Sequence, residues 1–229
     1  MTRAAPGDPR CARHTDRVTA WLLVHPPLLG PAVLQPLAAE LRRRGSGVAV
    51  PDLRGAVETA PGWPGRWVDG AAAAGPAEVV VGFSGAGIAL PAVAAAVGAR
   101  RVVWLDAVLP TGTWPDEVRE LTAPLVRNGR IADWTTWWGS DAMTGLVPDG
   151  RLRAAVLAEG HELPADFYDV AVPAPDRWPD DDVRYVHLSP AYAAEAAAAR
   201  ARGWTVVGDG TGEHLDVAND PRRVADLLG

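Results

Sequence analysis

A serine lies at a corner between an apolar run and an alanine-rich segment. Residues 79–87 read VVVGFSGAG, so three valines precede the corner and small residues surround Ser84. This pattern predicts a buried strand, a sharp turn and a helix, with the serine hydroxyl exposed at the turn, as in the nucleophile elbow G-x-S-x-G. Ala86 replaces the last glycine of that pattern and is small enough for close packing of strand and helix. Ser84 is therefore the candidate nucleophile.

Two other interpretations of this segment remain open. It could be a buried strand that simply enters a helix through a glycine turn. It could also be a dinucleotide-binding turn, but Gly82, Gly85 and Gly87 give G-x-x-G-x-G instead of G-x-G-x-x-G. Such a turn also usually follows the first strand of its domain, whereas two earlier strands are predicted here. The strand–turn–helix context favours the elbow.

A nucleophilic serine needs a base that takes its proton and an acid that orients the base. His214 lies in a loop between the last predicted strand and the last helix, at the sheet edge where sites in open α/β folds form. Its alternative is a helix-capping or surface histidine. Of the other histidines, His14 lies in the tail and His25 in the loop after the first strand. His161 lies in the long inserted segment, and His187 lies in a strand.

Asp106 is the candidate acid by elimination. It ends the predicted strand at 101–105, on the sheet edge that Ser84 occupies. Residues 188–192, after the next strand, offer no carboxylate, and Glu195 already lies on a helix. Asp52 is less suited because it precedes the serine in the sequence. Asp209 and Asp216 are less suited because they are close in sequence to His214.

Apolar runs and helical periodicity alternate along the chain. Strands are predicted at 19–24, 48–50, 78–83, 101–105, 183–188 and 204–207, and helices at 31–44, 85–97, 115–128, 151–159, 191–202 and 221–228. The alternation predicts an α/β fold with a mostly parallel sheet flanked by helices. We expect a polar tail at 1–18 and a single domain at 19–229. Residues 110–181, rich in tryptophan and proline, are too long for a simple loop and are expected to form an inserted cap.

The composition limits the classes of function. The 229 residues are 48 % hydrophobic and 22 % charged with a net charge of −6, which favours a globular domain without nucleic-acid or membrane partners. A single cysteine, Cys11, excludes a disulfide within the chain. Residues 1–17 lack the apolar core of a signal peptide. We expect a cytoplasmic protein without metal or cofactor, and the oligomeric state stays open.

Four motifs, by their order and spacing, resemble those of the α/β-hydrolase family over most of the chain. They are the loop at His25, the VPDLRG turn at 50–55, the elbow at Ser84 and the GEHL loop at His214. The chain is most similar to the compact esterase and hydroxynitrile-lyase branch, with the first two strands of the full family fold missing or reduced. The resemblance implies acyl transfer, in which Ser84 attacks a carbonyl, His214 moves the proton and Asp106 orients the imidazole.

The resemblance also implies an oxyanion hole made of two backbone N–H groups. One belongs to Gly85. The other usually comes from the loop after the first strand, where the aligned position is Pro27, which has no N–H. Leu28 is therefore the candidate second donor. Because the loss of one donor typically costs about 100- to 1000-fold in rate, a weak esterase or a non-hydrolytic reaction stays open.

The substrate is expected to be a small apolar or aromatic molecule. Three tryptophans of the inserted segment are spaced to share one helical face, which either lines the pocket or packs the cap against the core. The candidate pocket residues are these tryptophans and three residues near the sheet edge: Trp134, Trp137, Trp138, His25, Pro27 and Phe83.

Three functional hypotheses follow from these residues. The first is a serine esterase or thioesterase. The second is a lyase or cyclase in which Ser84 and His214 act as acid and base instead of nucleophile and base. The third is a non-enzymatic receptor for a small molecule, since a fold does not by itself fix a function.

Overall fold

The structure is a computed structural model that describes residues 20–139 and 141–229. The polar tail predicted at 1–18 lies outside the described residues, as does Cys11. Strands in the described part are β1 (Ala20–Val24), β2 (Gly47–Ala49), β3 (Val79–Phe83), β4 (Arg101–Leu105), β5 (Val126–Arg127), β6 (Arg130–Ile131), β7 (Leu163–Pro164), β8 (Val183–Val186) and β9 (Thr205–Val207).

Six of these strands form one parallel sheet with the order β2-β1-β3-β4-β8-β9. The remaining strands, β5, β6 and β7, form a small antiparallel sheet inside the segment that connects β4 to β8. The predicted fold class, a mostly parallel sheet flanked by helices, is confirmed. The segment predicted at 110–181 interrupts the alternation of parallel strands and helices, as expected.

The described helices lie between these strands or follow the last of them. They are α1 (Gln35–Arg43), α2 (Trp63–Ala72), α3 (Leu90–Val97), α4 (Asp116–Thr122), α5 (Ala142–Leu146), α6 (Gly150–Ala158), α7 (Ala193–Ala201), α8 (Asp216–Asn219) and α9 (Pro221–Leu228). None of the helices in the described residues is long and apolar enough to cross a bilayer.

Both faces of the parallel sheet are covered by helices. Since side chains alternate along each strand, neighbouring residues of one strand belong to different cores. In β1, Leu22 and Val24 join the core beneath α2, α3 and α7, whereas Trp21 and Leu23 join the core beneath α1, α8 and α9. The central strand β3 is fully buried. Burial on both faces explains why this strand is a continuous apolar run in the sequence, without polar alternation.

Several predicted helices are shorter than expected, as two examples show. The segment at 85–97 begins as a 3₁₀ helix, Ser84–Ala89, and becomes α-helical only in α3. The helix predicted at 115–128 ends with α4 at Thr122, followed by a 3₁₀ turn that contains Pro124 and then by β5. Asn128 and Gly129 both have positive φ and form the turn between β5 and β6. The asparagine–glycine pair is typical of a tight hairpin, not of a helix end.

Candidate active site

Ser84 is the first residue after β3 and has a left-handed backbone, with φ of 55°. Non-glycine residues rarely adopt this region, and they do so mainly where surrounding contacts hold them. One such contact is a hydrogen bond from the Val108 N–H to the Ser84 carbonyl, at 3.1 Å. Gly82 lets α3 approach the strand, because a Cβ there would lie 2.9 Å from Leu90 Cδ1. The local backbone is therefore the sharp strand-to-helix corner that the sequence predicts.

The closest packing beyond the corner occurs at Gly87, one residue later than the usual glycine of the elbow pattern. A Cβ at Gly87 would collide with the carbonyl of Val108 and lie 2.7 Å from Trp104 Cδ1. The Trp104 indole N–H also donates to the Gly87 carbonyl at 3.0 Å. Ala86 is buried too, but its methyl group is accommodated there. This explains how the chain accommodates alanine where the pattern has glycine.

Asp106 follows β4 at the same sheet edge, because Phe83 pairs with Leu105 in the register of the two strands. It too is left-handed, with φ of 44°. Its carboxylate is fully buried and accepts hydrogen bonds from the Leu188 N–H at 2.9 Å and the Ser189 N–H at 3.2 Å. The Ser189 hydroxyl donates a third at 2.6 Å. A buried carboxylate with this many donors is fixed in position.

His214 completes the group by contacting Asp106. Its Nδ1 lies 2.8 Å from Asp106 Oδ2, and because a carboxylate only accepts, Nδ1 carries the hydrogen. The imidazole stacks on Phe83 at 4.6 Å between ring centroids and on Tyr192 at 4.8 Å. The neutral ring in this tautomer has its lone pair on Nε2, which is the form that accepts a proton from a nucleophile.

Tyr192 is a residue that our sequence reasoning missed. Its hydroxyl lies 3.1 Å from Ser84 Oγ. Burial raises the pKa of the Tyr192 phenol to about 12, so it remains protonated at neutral pH, and either hydroxyl can donate in this contact. The signal was its position in the loop after β8, at the sheet edge that Ser84 and Asp106 share.

A cavity of about 370 Å³ opens over Ser84. Its lining residues are Pro26, Pro27, Leu28, Leu29, Ser84, Gly85, Val108, Trp114, Val118, Leu121, Thr122, Trp134, Trp137, Trp138, Tyr168, Ala191, Tyr192 and His214. In the described part of the chain, no arginine, aspartate or glutamate lines this cavity. The segment between β4 and β8 supplies a large share of the wall, including Trp114 and Tyr168, which we had not predicted.

The three predicted tryptophans all line the cavity, but they do not share an extended helix. Trp134 begins a single 3₁₀ turn, Trp134–Thr136, in which the Asp133 side chain accepts a hydrogen bond from the Thr135 N–H. Trp134 and Trp137 also pack against the two cores, whereas Trp138 is 53 % exposed. Trp134 and Trp137 therefore both line the cavity and pack against a core, whereas Trp138 lines the cavity without being buried in a core.

The assignment of His25 and Phe83 to the pocket is corrected. His25 is fully buried, and its Nε2 accepts from the Leu53 N–H at 2.8 Å while Nδ1 donates to the Pro26 carbonyl at 3.0 Å. Burial lowers the pKa of His25 to about 4, so the ring is neutral. Phe83 is also fully buried and lies beneath His214. Both side chains are packed behind the residues that line the cavity.

The loop after β1 packs directly on the serine corner. A Cβ at Gly85 would lie 3.1 Å from Pro27 Cδ. The Leu29 N–H donates to the Pro26 carbonyl at 3.2 Å, which closes a turn with Pro27 and Leu28 at its centre. Within the described residues the Leu28 N–H has no hydrogen-bond partner. It is thus the available donor of this turn.

The other candidate acids are engaged elsewhere. Asp52 forms an ion pair with Arg54 at 2.6 Å, which lowers its pKa to about 2. Asp209 accepts from the Thr211 N–H and hydroxyl, and the Asp216 carboxylate pairs with Arg223 at 2.7 Å. Among the residues that the structure describes, no cluster of His, Cys, Asp or Glu side chains suits a metal ion.

The two remaining histidines within the described ranges lie away from Ser84. His187 follows β8 and is buried, and its Nε2 finds no hydrogen-bond partner in this part of the chain. His161 lies in the segment between β4 and β8, where its Nε2 contacts the Pro27 carbonyl. His14 is outside the described residues.

No protein-family model matches this sequence, and no curated protein matches it. Solved structures do. An extracellular α/β-hydrolase from a Paenibacillus species, which shares structural and functional homology with tobacco salicylic acid binding protein 2, is 18 % identical with a TM-score of 0.69, covering 92 % of this chain and 97 % of that one. A pyrethroid hydrolase from Sphingobium faniae is 19 % identical with a TM-score of 0.67, covering 92 % and 96 %.

Tomato methylketone synthase I, in a complex with 2-tridecanone, is 14 % identical with a TM-score of 0.64, covering 92 % of this chain and 96 % of that one. The similarity in each case extends over nearly the full length of both chains. The resemblance suggested by the sequence motifs is therefore confirmed at the level of the fold, and the chain has the α/β-hydrolase fold.

Proposed function

We propose that the protein is a serine esterase that acts on an ester or thioester of a small apolar or aromatic molecule. The observation that carries this proposal is the hydrogen bond of 2.8 Å between His214 Nδ1 and the buried Asp106, at the edge of the cavity that exposes Ser84. It supports a base in the correct tautomer beside a serine on a strained corner.

In the proposed mechanism, Ser84 Oγ attacks the substrate carbonyl carbon while its proton passes to His214 Nε2. The carbonyl oxygen becomes an oxyanion, and the Gly85 and Leu28 N–H groups donate to it. Collapse of the tetrahedral species breaks the bond to the leaving alcohol or thiol, which takes the proton from His214. Water then attacks the acyl-serine while His214 takes its proton. The bond to Ser84 Oγ breaks, Ser84 takes the proton back from His214, and the acid is released.

The chemistry of the cavity supports the substrate class. Aromatic rings make up much of its wall: Trp114, Trp134, Trp137, Trp138, Tyr168 and Tyr192. Burial of an uncharged apolar group against these rings is favourable, whereas a carboxylate or phosphate would lose its hydration without gaining a partner. The names of similar structures, among them a pyrethroid hydrolase and polyneuridine aldehyde esterase, agree with ester substrates.

The test is covalent labelling followed by hydrolysis of neutral p-nitrophenyl esters. We expect a fluorophosphonate to label the protein and Ser84→Ala to abolish both labelling and turnover. Ser46→Ala, a serine in the turn that follows α1, is the matched control and retains both. Labelling of Ser84→Ala at the wild-type rate would contradict the proposal. Turnover without labelling would instead favour acid–base chemistry that forms no acyl-serine.

A further inference from the structure

His161 holds the loop that carries the proposed second oxyanion donor. Its Nε2 lies 2.8 Å from the Pro27 carbonyl, and its Nδ1 lies 3.0 Å from the Glu159 carbonyl. A carbonyl oxygen only accepts, so each contact is a hydrogen bond only when that ring nitrogen carries a hydrogen. The neutral Nε2–H tautomer makes the bond to Pro27, the neutral Nδ1–H tautomer makes the bond to Glu159, and the doubly protonated ring makes both.

The direction of the Leu28 N–H follows from this bond. The Pro27 carbonyl and the Leu28 N–H belong to one peptide unit, and the described peptide bonds are all trans. In a trans peptide the C=O and N–H point in opposite directions. His161 therefore turns the Leu28 N–H away from itself. Leu28 lines the cavity above Ser84, whereas His161 lines a separate polar cleft.

Glu159 attaches the far end of the same loop. Its Oε2 accepts from the Ala32 N–H at 2.7 Å, and its carbonyl accepts from Arg54 Nη1 at 3.3 Å. Gly30 leaves room for this side chain, because a Cβ there would lie 2.8 Å from Glu159 Cβ. The loop after β1 is thus held at two points by residues that directly follow α6.

We propose that His161 is a positioning residue that aims the Leu28 N–H at the oxyanion formed on Ser84. The inference rests on the proposed esterase function. It explains why the loop can tolerate Pro27, which has no N–H to donate. A hydrogen bond to the Pro27 carbonyl orients the Leu28 N–H of the same peptide unit. A hydrogen bond to that carbonyl also polarises the peptide unit and strengthens its N–H as a donor.

The experiment compares three substitutions of His161 in the full chain. His161→Gln keeps an N–H near the position of Nε2 and can still donate to the Pro27 carbonyl. His161→Asn reaches only as far as Nδ1, and His161→Leu has no donor. Glu162→Gln is the control, since Glu162 lines the same polar cleft but its carboxylate faces Arg130 at 3.8 Å.

We expect His161→Leu and His161→Asn to lower kcat for p-nitrophenyl butyrate about 10- to 100-fold with little change in KM, because a misaimed donor weakens only the transition state. The affinity for butylboronic acid, which forms a tetrahedral adduct with a serine, falls in parallel. His161→Gln and Glu162→Gln stay close to wild type. Equal kcat values for His161→Gln, His161→Asn and His161→Leu would overturn the inference.

Failure of the esterase proposal gives a different result, because Ser84→Ala would then hydrolyse the ester as fast as wild type. In that case the ¹⁵N shift of the Leu28 amide decides the matter, since it responds to hydrogen bonding at the carbonyl of the same peptide unit. A shift shared by wild type and His161→Gln, and displaced in His161→Leu, supports the positioning role. The same shift in all three proteins contradicts it.

Discussion

The Tyr192 hydroxyl lies 3.1 Å from Ser84 Oγ, and the Tyr192 ring lies nearly parallel to the His214 imidazole, at an interplanar angle of 16°. One side chain thus touches both the proposed nucleophile and the proposed base. As a buried phenol with a pKa raised to about 12, Tyr192 stays protonated across the neutral pH range, and either hydroxyl can donate in its contact with Ser84. Donation by Tyr192 is the arrangement that leaves the serine proton free to go to His214.

The first prediction concerns this hydroxyl. Tyr192→Phe removes the hydrogen bond but keeps the ring on His214. This hydrogen bond holds Ser84 Oγ in place, and because a neutral hydrogen bond is worth about 0.5–1.5 kcal/mol, we expect kcat to fall about 2- to 10-fold. Tyr168→Phe, another phenol in the cavity wall, should have a smaller effect. An unchanged kcat in Tyr192→Phe would show that the contact is only structural.

The second prediction concerns the orientation of His214. In Asp106→Asn an amide N–H₂ replaces a carboxylate oxygen among the surrounding donors, so the Nδ1–H tautomer of His214 loses its acceptor. We expect kcat for a p-nitrophenyl ester to fall about 10⁴-fold. Circular dichroism will establish that the variant folds. Asp209→Asn, at an acid in the loop before His214, should keep wild-type turnover; the reverse pattern would exchange the roles of the two acids.

The third prediction separates pocket from packing among the tryptophans. Trp138 lines the cavity yet is 53 % exposed, so Trp138→Ala should change the preference among acyl chain lengths with little loss of stability. The measurement is kcat/KM for a series of p-nitrophenyl esters together with the melting temperature. Leu157→Ala, an exposed apolar residue on α6, serves as the control. An unaltered preference in Trp138→Ala would remove this residue from the pocket.

The fourth prediction is a pH dependence of stability that arises from His25. Burial lowers its folded-state pKa from the ordinary value of 6.5 to about 4, so the neutral ring is favoured by folding. The contribution is complete above the unfolded pKa and is lost as the pH falls from 6.5 towards 4. A difference of this size corresponds to about 3 kcal/mol of unfolding free energy.

Urea unfolding of wild type and His25→Gln at several pH values checks this assignment. Glutamine can accept from the Leu53 N–H but does not titrate, so the variant should lose less stability than wild type on acidification. Its stability at neutral pH is expected to be lower, because the imidazole packs against Trp67. Parallel pH dependences in the two proteins would rule out His25 as the source.

Much of the fold could be predicted because local pattern and tertiary packing agree. The buried run of β3 and the alternation of strands with helices specified a parallel sheet. The error at 115–128 arose because apolar spacing was weighed above turn chemistry. Pro124 and the Asn128–Gly129 pair indicate a stop and a hairpin, and both were visible in the sequence.

The site was predictable where one rule applied, namely that parallel strands end at a common edge. The elbow pattern identified Ser84, and this rule placed Asp106 and His214 at the same edge. The structure brings Ser84 and Asp106 to one edge, with Asp106 bonded to His214. The rule could not separate lining residues from those behind the wall. Phe83 adjoins the serine in the sequence and His25 follows the neighbouring strand β1, but both side chains are buried in the core. That distinction depends on loop conformation, which periodicity does not encode.

The left-handed backbone of Ser84 has a consequence for any attempt to stabilise this protein. A non-glycine residue in that region costs roughly 1–2 kcal/mol, and glycine relieves this cost. A selection for heat resistance alone would therefore favour Ser84→Gly, which discards the proposed nucleophile. Asp106 is also left-handed, but its buried hydrogen bonds oppose replacement. Under such a selection the proposed active site would be lost first at the serine, while the acid and histidine remained as its traces.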